Sequence, residues 1–234
     1  MKNEQWTWKE QDLWGFKELI LLLLLEFVFV IGFIKFIIHP LYTRWLGNEL
    51  YSGTLIGLTI AIILILGVYF IALFPKNLSW SEVGIKTFAM KDWRLIVLYS
   101  LFLLVSAVII VFLTSFIGNT WENSKTEAMQ KNVTFFTVLI AFISAAVISP
   151  IYEEIFYRGF LYRWLRTRLG INGGIFVSSL IFTIVHIPTY NVMPVNFISG
   201  IIFALAYERT NSIWPSVIIH GLTNGIMVLL TSWG

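Results

Sequence analysis

From Leu55 to Phe74 the chain runs for 20 residues without a charged side chain, and apolar stretches of the same kind recur along its length. A helix rises about 1.5 Å per residue, so about 20 apolar residues cross the ~30 Å hydrocarbon layer of a bilayer. The other runs are Leu19 to Ile38, Leu95 to Ile117, Val133 to Phe156, Ile175 to Ile187, Val195 to Tyr207 and Ile213 to Leu230. Ile175 to Ile187 and Val195 to Tyr207 are short for complete spans. Lipid offers backbone N–H and C=O groups no partner, so each span must satisfy its own, as a helix does. The expected fold is an all-α polytopic membrane protein, one bundle of about seven transmembrane helices with an eighth allowed.

Composition excludes the main alternative. With 58% hydrophobic and 12% charged residues, the chain lies far from the roughly 25% charged residues of a soluble globular domain. There is no cysteine, hence no disulfide framework, no thiolate ligand and no cysteine-protease chemistry. No signal-peptide cleavage pattern precedes the first apolar run, so the N-terminus is expected to stay.

Lysine and arginine divide unevenly between the two sides of seven spans. One side receives Lys2, Lys9, Lys17, Lys76, Lys86, Lys91, Arg94, Arg158, Arg163, Arg166, Arg168 and Arg209; the other receives Lys35, Arg44, Lys125 and Lys131. Basic loops stay cytoplasmic, which puts the N-terminus inside, the C-terminus outside and the protein in a cell membrane. The formal net charge of +3 thus reports topology. It does not argue for a nucleic-acid partner.

Against this background Glu153, Glu154 and Arg158 stand out, because charge at bilayer depth is costly unless it faces a bundle interior or a wet cavity. Two of the three histidines, His186 and His220, also fall in apolar stretches. At the helical rise, Glu153 lies roughly 15 Å from Arg163, His186 roughly 20 Å from Asn172 and His220 roughly 13 Å from Asn211. The three can therefore meet inside the bundle, nearer the cytoplasmic side. Glu154 and Arg158 are one turn apart in the favourable order for an ion pair, while Glu153 points about 100° away. That spacing holds Glu154 and leaves Glu153 free. His220 and Asn224 share a face, Gly221 and Gly225 form a strip for close helix packing, and Phe182 walls the space under His186.

Alone, Glu154 with Arg158 reads as an ion pair, and His220 with Asn224 as an interhelical hydrogen-bonding pair. Together they make an ordered set: Glu153-Glu154-Ile155-Phe156-Tyr157-Arg158 fits E-E-x-x-x-R, Phe182 to His186 fits F-x-x-x-H, and His220 to Asn224 fits H-x-x-x-N. In these motifs, and in Gly200 to Pro215 between the last two, the chain resembles the family of CAAX proteases and bacteriocin-processing enzymes. These are intramembrane endopeptidases also associated with bacteriocin self-immunity. The resemblance covers roughly Val133 to Leu230, which divides the chain into N-terminal helices without a recognised motif (1–132) and a catalytic transmembrane region (133–234).

The resemblance implies that Glu153 and His186 activate a water for attack on a peptide carbonyl, that His220 and Asn224 stabilise the oxyanion, and that Glu154 and Arg158 orient the base helix. The chemistry suits such a place. A carboxylate desolvated among helices serves as a general base near neutrality, and imidazole or amide donors stabilise a developing oxyanion strongly in a water-poor site. The family has been described both as metalloproteases and as metal-free glutamate proteases. Zinc held by Glu153, His186 and His220 is thus the alternative, but the spacing is not H-E-x-x-H and no cofactor is expected. The expected partner is a membrane-associated peptide or protein substrate in the lipid bilayer. The competing function is a non-catalytic membrane partner, a bacteriocin-immunity or scaffold protein that keeps the fold; the intact motifs favour the enzyme. No paired inverted halves suggest a transporter.

Other polar residues carry no motif. Glu26 lies some 12 Å inside the first run, at the depth of the site, and either lines the cavity or pairs with another helix. His39 and Lys35 read as interfacial, and Trp80, Trp93, Trp164 and Trp214 as parts of interface belts. Lys86 to Arg94 reads as a surface segment capping the cytoplasmic face.

Overall fold

The computed structural model describes residues 12–116, 133–187 and 192–233, which are helical or in turns and contain no strand. Lys2, Lys9, Lys125, Lys131 and Ile117, the end of the third run, lie outside these residues. Helix α1 is Phe16–Leu46, α2 is Glu49–Lys76 and α3 is Trp93–Ser115. The run Phe135–Ile184 follows, then α6 (Met193–Thr210) and α7 (Ile213–Trp233). Five helical runs among the described residues are long and apolar enough to cross a membrane; α6 is not one of them. Phe135–Ile184 holds two of the expected spans, because Gly170 interrupts it with φ of +73°. At Gly174 a Cβ would meet the backbone of Arg166 at 2.9 Å, where a straight helix would put eight residues about 12 Å apart. The chain has turned back on itself, and the two legs are α4 (135–169) and α5 (171–184). A residue with a side chain seldom takes the positive φ that this turn needs, which is why glycine stands there.

The end of the bundle near Gly170 is tied by charge and tryptophan. Arg168 binds both carboxylate oxygens of Asp12 at 2.9 Å, and Arg166 binds both of Glu208 at 2.7 and 2.6 Å. Arg163 donates to the carbonyl and carboxylate of Glu82. Thus basic residues assigned by sequence to one side of the membrane gather at one end. Trp164 departs from the expected interface belt: it is buried, donates from Nε1 to the Gly15 carbonyl at 3.0 Å and carries the Arg168 guanidinium 3.9 Å above its ring.

The segment between α2 and α3 is more than a surface cap. Val83 is fully buried against Gly159 of α4. The Gly84 carbonyl accepts the Ile213 N–H at 3.0 Å, and the Lys86 carbonyl accepts the Ser212 hydroxyl at 2.6 Å. Burial, reinforced by the Arg163 charge and opposed by Glu82, pushes the Lys86 ammonium below its usual range. Away from this end the outer faces are apolar: Val97, Leu98, Leu101, Phe102, Val105 and Val108 of α3 are all exposed, as suits a surface solvated by lipid tails.

Candidate active site

The site is built on a disturbance in α4. Residues Ser144–Ile148 take a π-helical register, in which the Ser149 N–H bonds to Ser144 five residues back. The Ala145 carbonyl thereby loses its ordinary donor. Pro150 has no N–H to give either Ala145 or Ala146. An orphaned carbonyl in a membrane bundle needs a partner, and Asn224 of α7 supplies one: its Nδ2 donates to the Ala145 oxygen at 3.0 Å. At Gly221 a Cβ would collide with the Ala146 carbonyl, and at Gly225 one would lie 2.7 Å from the Phe142 ring. The glycine strip and Asn224 therefore lock α7 against α4 and set His220 opposite Glu153 and Glu154.

Glu154 is fully buried and its Oε1 serves two partners, the Arg158 Nη1 at 3.1 Å and the His220 Nδ1 at 3.0 Å. A carboxylate can only accept here, so His220 carries a proton on Nδ1 and turns Nε2 the other way. Nε2 lies 3.9 Å from Glu153 Oε2. The imidazole also stacks on Phe203 of α6, with ring centres 4.5 Å apart and planes 19° from parallel. Glu153 is 7% exposed and is not free as its spacing suggested: Oε1 accepts the Ser149 hydroxyl in a close contact.

Arg158 is 1% exposed, with its guanidinium between two aromatic rings, 4.4 Å from the centre of Phe182 and 5.0 Å from Phe203. Its Nη2 donates to the Gly200 carbonyl at 3.4 Å. Gly200 permits this approach of α6, since a Cβ there would press on Ser179 at 2.9 Å. The same Phe182 ring lies 4.7 Å from His186 and 6.1 Å from His220, so it separates and supports both imidazoles. His186, half-buried just after α5, binds through Nδ1 to the Phe182 carbonyl at 2.7 Å; a carbonyl can only accept, so Nδ1 carries a proton.

The structure thus gathers Glu153, Glu154, Arg158 and His220 directly and links His186 to them through Phe182. Asn224 stands one turn beyond His220 with one amide hydrogen committed to Ala145. Sequence reasoning missed Ser149, Phe203, Tyr157 and the partners of α1. The Tyr157 hydroxyl donates to Glu26 Oε1 at 2.9 Å. Lys35, expected to snorkel away, donates to the Val185 carbonyl at 3.3 Å, next to His186. As arranged, no three His, Asp or Glu side chains among the described residues form a group able to hold a metal ion. Zinc ligation by Glu153, His186 and His220 would require them to move.

Residues 135–226 match the family model described as Type II CAAX prenyl endopeptidase Rce1-like. No curated protein and no solved structure matches the chain. The match takes in α4, α5 and α6, most of α7, and every residue of the three motifs, and it shows that this region of an all-α membrane protein is similar to the Rce1-like family.

Proposed function

We propose that this protein is an intramembrane endopeptidase of the CAAX type, hydrolysing a peptide bond of a membrane-associated substrate with Glu153 as the general base. The observation that carries the reading is the buried pairing of Glu153 Oε2 with His220 Nε2 across 3.9 Å, with the far side of the imidazole held by Glu154. That separation suits two hydrogen bonds through one water, and because Glu153 Oε2 is sealed from solvent, the water enters as substrate binding opens the site.

In the proposed reaction the water oxygen attacks the carbonyl carbon while its proton passes to Glu153. His186, fixed through Nδ1, offers its lone pair to the same water. The oxyanion takes a hydrogen bond from Nε2–H of His220 in its imidazolium form, which Glu154 stabilises while Arg158 balances the charge of Glu154. The second amide hydrogen of Asn224 is the other donor. Glu153 then returns the proton to the leaving nitrogen and the C–N bond breaks; the second water proton passes from the new carboxylic acid to the amine, so that a carboxylate and an ammonium remain. Proton and charge are conserved within the site. The low dielectric among α4 to α7 strengthens each of these interactions relative to water.

The test uses the purified protein in proteoliposomes with a fluorogenic peptide ending in a prenylated Cys-aliphatic-aliphatic-X sequence, products being read by mass spectrometry. Wild type should cleave it, and Glu153→Gln should lose at least about 100-fold in rate while remaining folded. Cleavage by Glu153→Gln at the wild-type rate would remove the base. No cleavage by wild type of this peptide would return the protein to the non-catalytic membrane-partner reading.

A further inference from the structure

Glu26 stands in α1, within the π-helical stretch Leu25–Ile38 and outside the family match. It is 4% exposed. Oε1 accepts the Tyr157 hydroxyl at 2.9 Å, whereas Oε2 is sealed from solvent with no hydrogen-bond partner among the described residues. A carboxyl in that position costs stability that an apolar side chain would not. Its retention calls for a use.

Tyr157 points to one. It occupies the third variable position of E-E-x-x-x-R, four residues after Glu153 and so on the same helix face. Its ring meets Phe182 edge-on at 5.2 Å, and the Phe182 carbonyl holds His186. Glu153 is also among the charges acting on Glu26. A single hydrogen bond from α1 therefore reaches the residue that packs the arm carrying Glu153 against the arm carrying His186.

We propose that Glu26 is a positioning residue of the hydrolytic site, holding Tyr157 through its hydroxyl so that Glu153 and His186 stay in register; this rests on the endopeptidase function proposed above. The first membrane helix is then part of the active enzyme although it carries none of the family motifs. Both the carboxyl and the phenol act through the groups they hold and touch no substrate.

The experiment compares Glu26→Gln, Glu26→Leu, Tyr157→Phe and the double variant Glu26→Leu/Tyr157→Phe with wild type and Glu153→Gln, on the prenylated peptide in proteoliposomes. Glutamine keeps an acceptor oxygen, so Glu26→Gln should stay within about threefold of wild-type kcat. Glu26→Leu and Tyr157→Phe should each lower kcat about tenfold with KM little changed, and the double variant should fall no further than the lower single one. Tryptophan fluorescence during thermal unfolding reports stability separately. A tie that is only structural would lower the melting temperature and leave kcat per folded enzyme intact, and that result would overturn the role of Glu26. So would losses that multiply in the double variant. If Glu26→Leu does not fold, Tyr157→Phe, which removes one oxygen, decides. An inactive Glu153→Gln beside a fully active Tyr157→Phe sinks only the role of Glu26; an inactive wild type or a fully active Glu153→Gln sinks the endopeptidase function, and Glu26 with it.

Discussion

Replacing Glu154 by leucine should destabilise the protein more than any change on its lipid-facing surface, and replacing Arg158 as well should restore much of the loss. Glu154 and Arg158 are 0% and 1% exposed, 3.1 Å apart, so deleting either strands a buried charge. Such a deletion costs about 3–5 kcal/mol, while removing both charges in favour of apolar groups of similar volume is often near neutral. Glu154→Leu also strips His220 Nδ1 of its 3.0 Å acceptor, which adds about 1–3 kcal/mol and persists in the double variant. The double variant Glu154→Leu/Arg158→Met should therefore lie about 1–3 kcal/mol below wild type, at least about 3 kcal/mol short of the sum of the single losses. Equilibrium unfolding in mixed micelles, followed by the fluorescence of the tryptophans, measures the cycle. Activity separates the partners further: Arg158→Met keeps the Glu154–His220 bond and should lose about tenfold in kcat, whereas Glu154→Leu frees the imidazole and should lose about 100-fold or more. Stability losses additive within about 0.5 kcal/mol would refute the shared-oxygen arrangement.

Exhaustive treatment with a strong chelator should leave most activity in place, with metal analysis finding well below one zinc per chain; reversible inactivation with near-stoichiometric zinc would reassign Glu153, His186 and His220 as ligands. Asn224→Ala should cost about 1–3 kcal/mol of stability, because it uncovers the Ala145 carbonyl, and unchanged unfolding would show that this carbonyl finds another partner. A reporter fused behind α7 should read as extracytoplasmic, and a cytoplasmic signal would invert the orientation drawn from the basic loops.

What the sequence disclosed depended on whether a feature is read along one helix or between two. Apolar run length is a local quantity, and it led to the all-α bundle and to helices at every expected span. The Glu154–Arg158 pair is likewise local, one turn apart on α4. The His220–Glu154 bond joins residues 66 positions apart, and Glu26–Tyr157 joins residues 131 apart. Such pairings depend on how each helix is rotated about its axis, and π-helical stretches in α1, α2 and α4 change that rotation without leaving a periodic mark. Membrane helices that are apolar on every side give no compass of the kind an amphipathic helix offers. Trp164 was misplaced for a related reason. Its residue type suggested an interface, but its indole finds the Gly15 carbonyl on another helix end, and only packing reveals that partner.

The π turn at Ser144–Ile148 also acts as an angular setting on the molecule. One residue more than a regular helix would use is spent there, and each residue of a helix turns it by about 100°. Deleting a single residue from this stretch would leave hydropathy, length class and every motif readable, yet it would swing Ala145 away from Asn224 relative to the downstream carboxylates. Chains of this kind should therefore tolerate exchange of one apolar residue for another between 144 and 148 far better than the gain or loss of one. Their active sites are protected by a count of residues as much as by the identity of any.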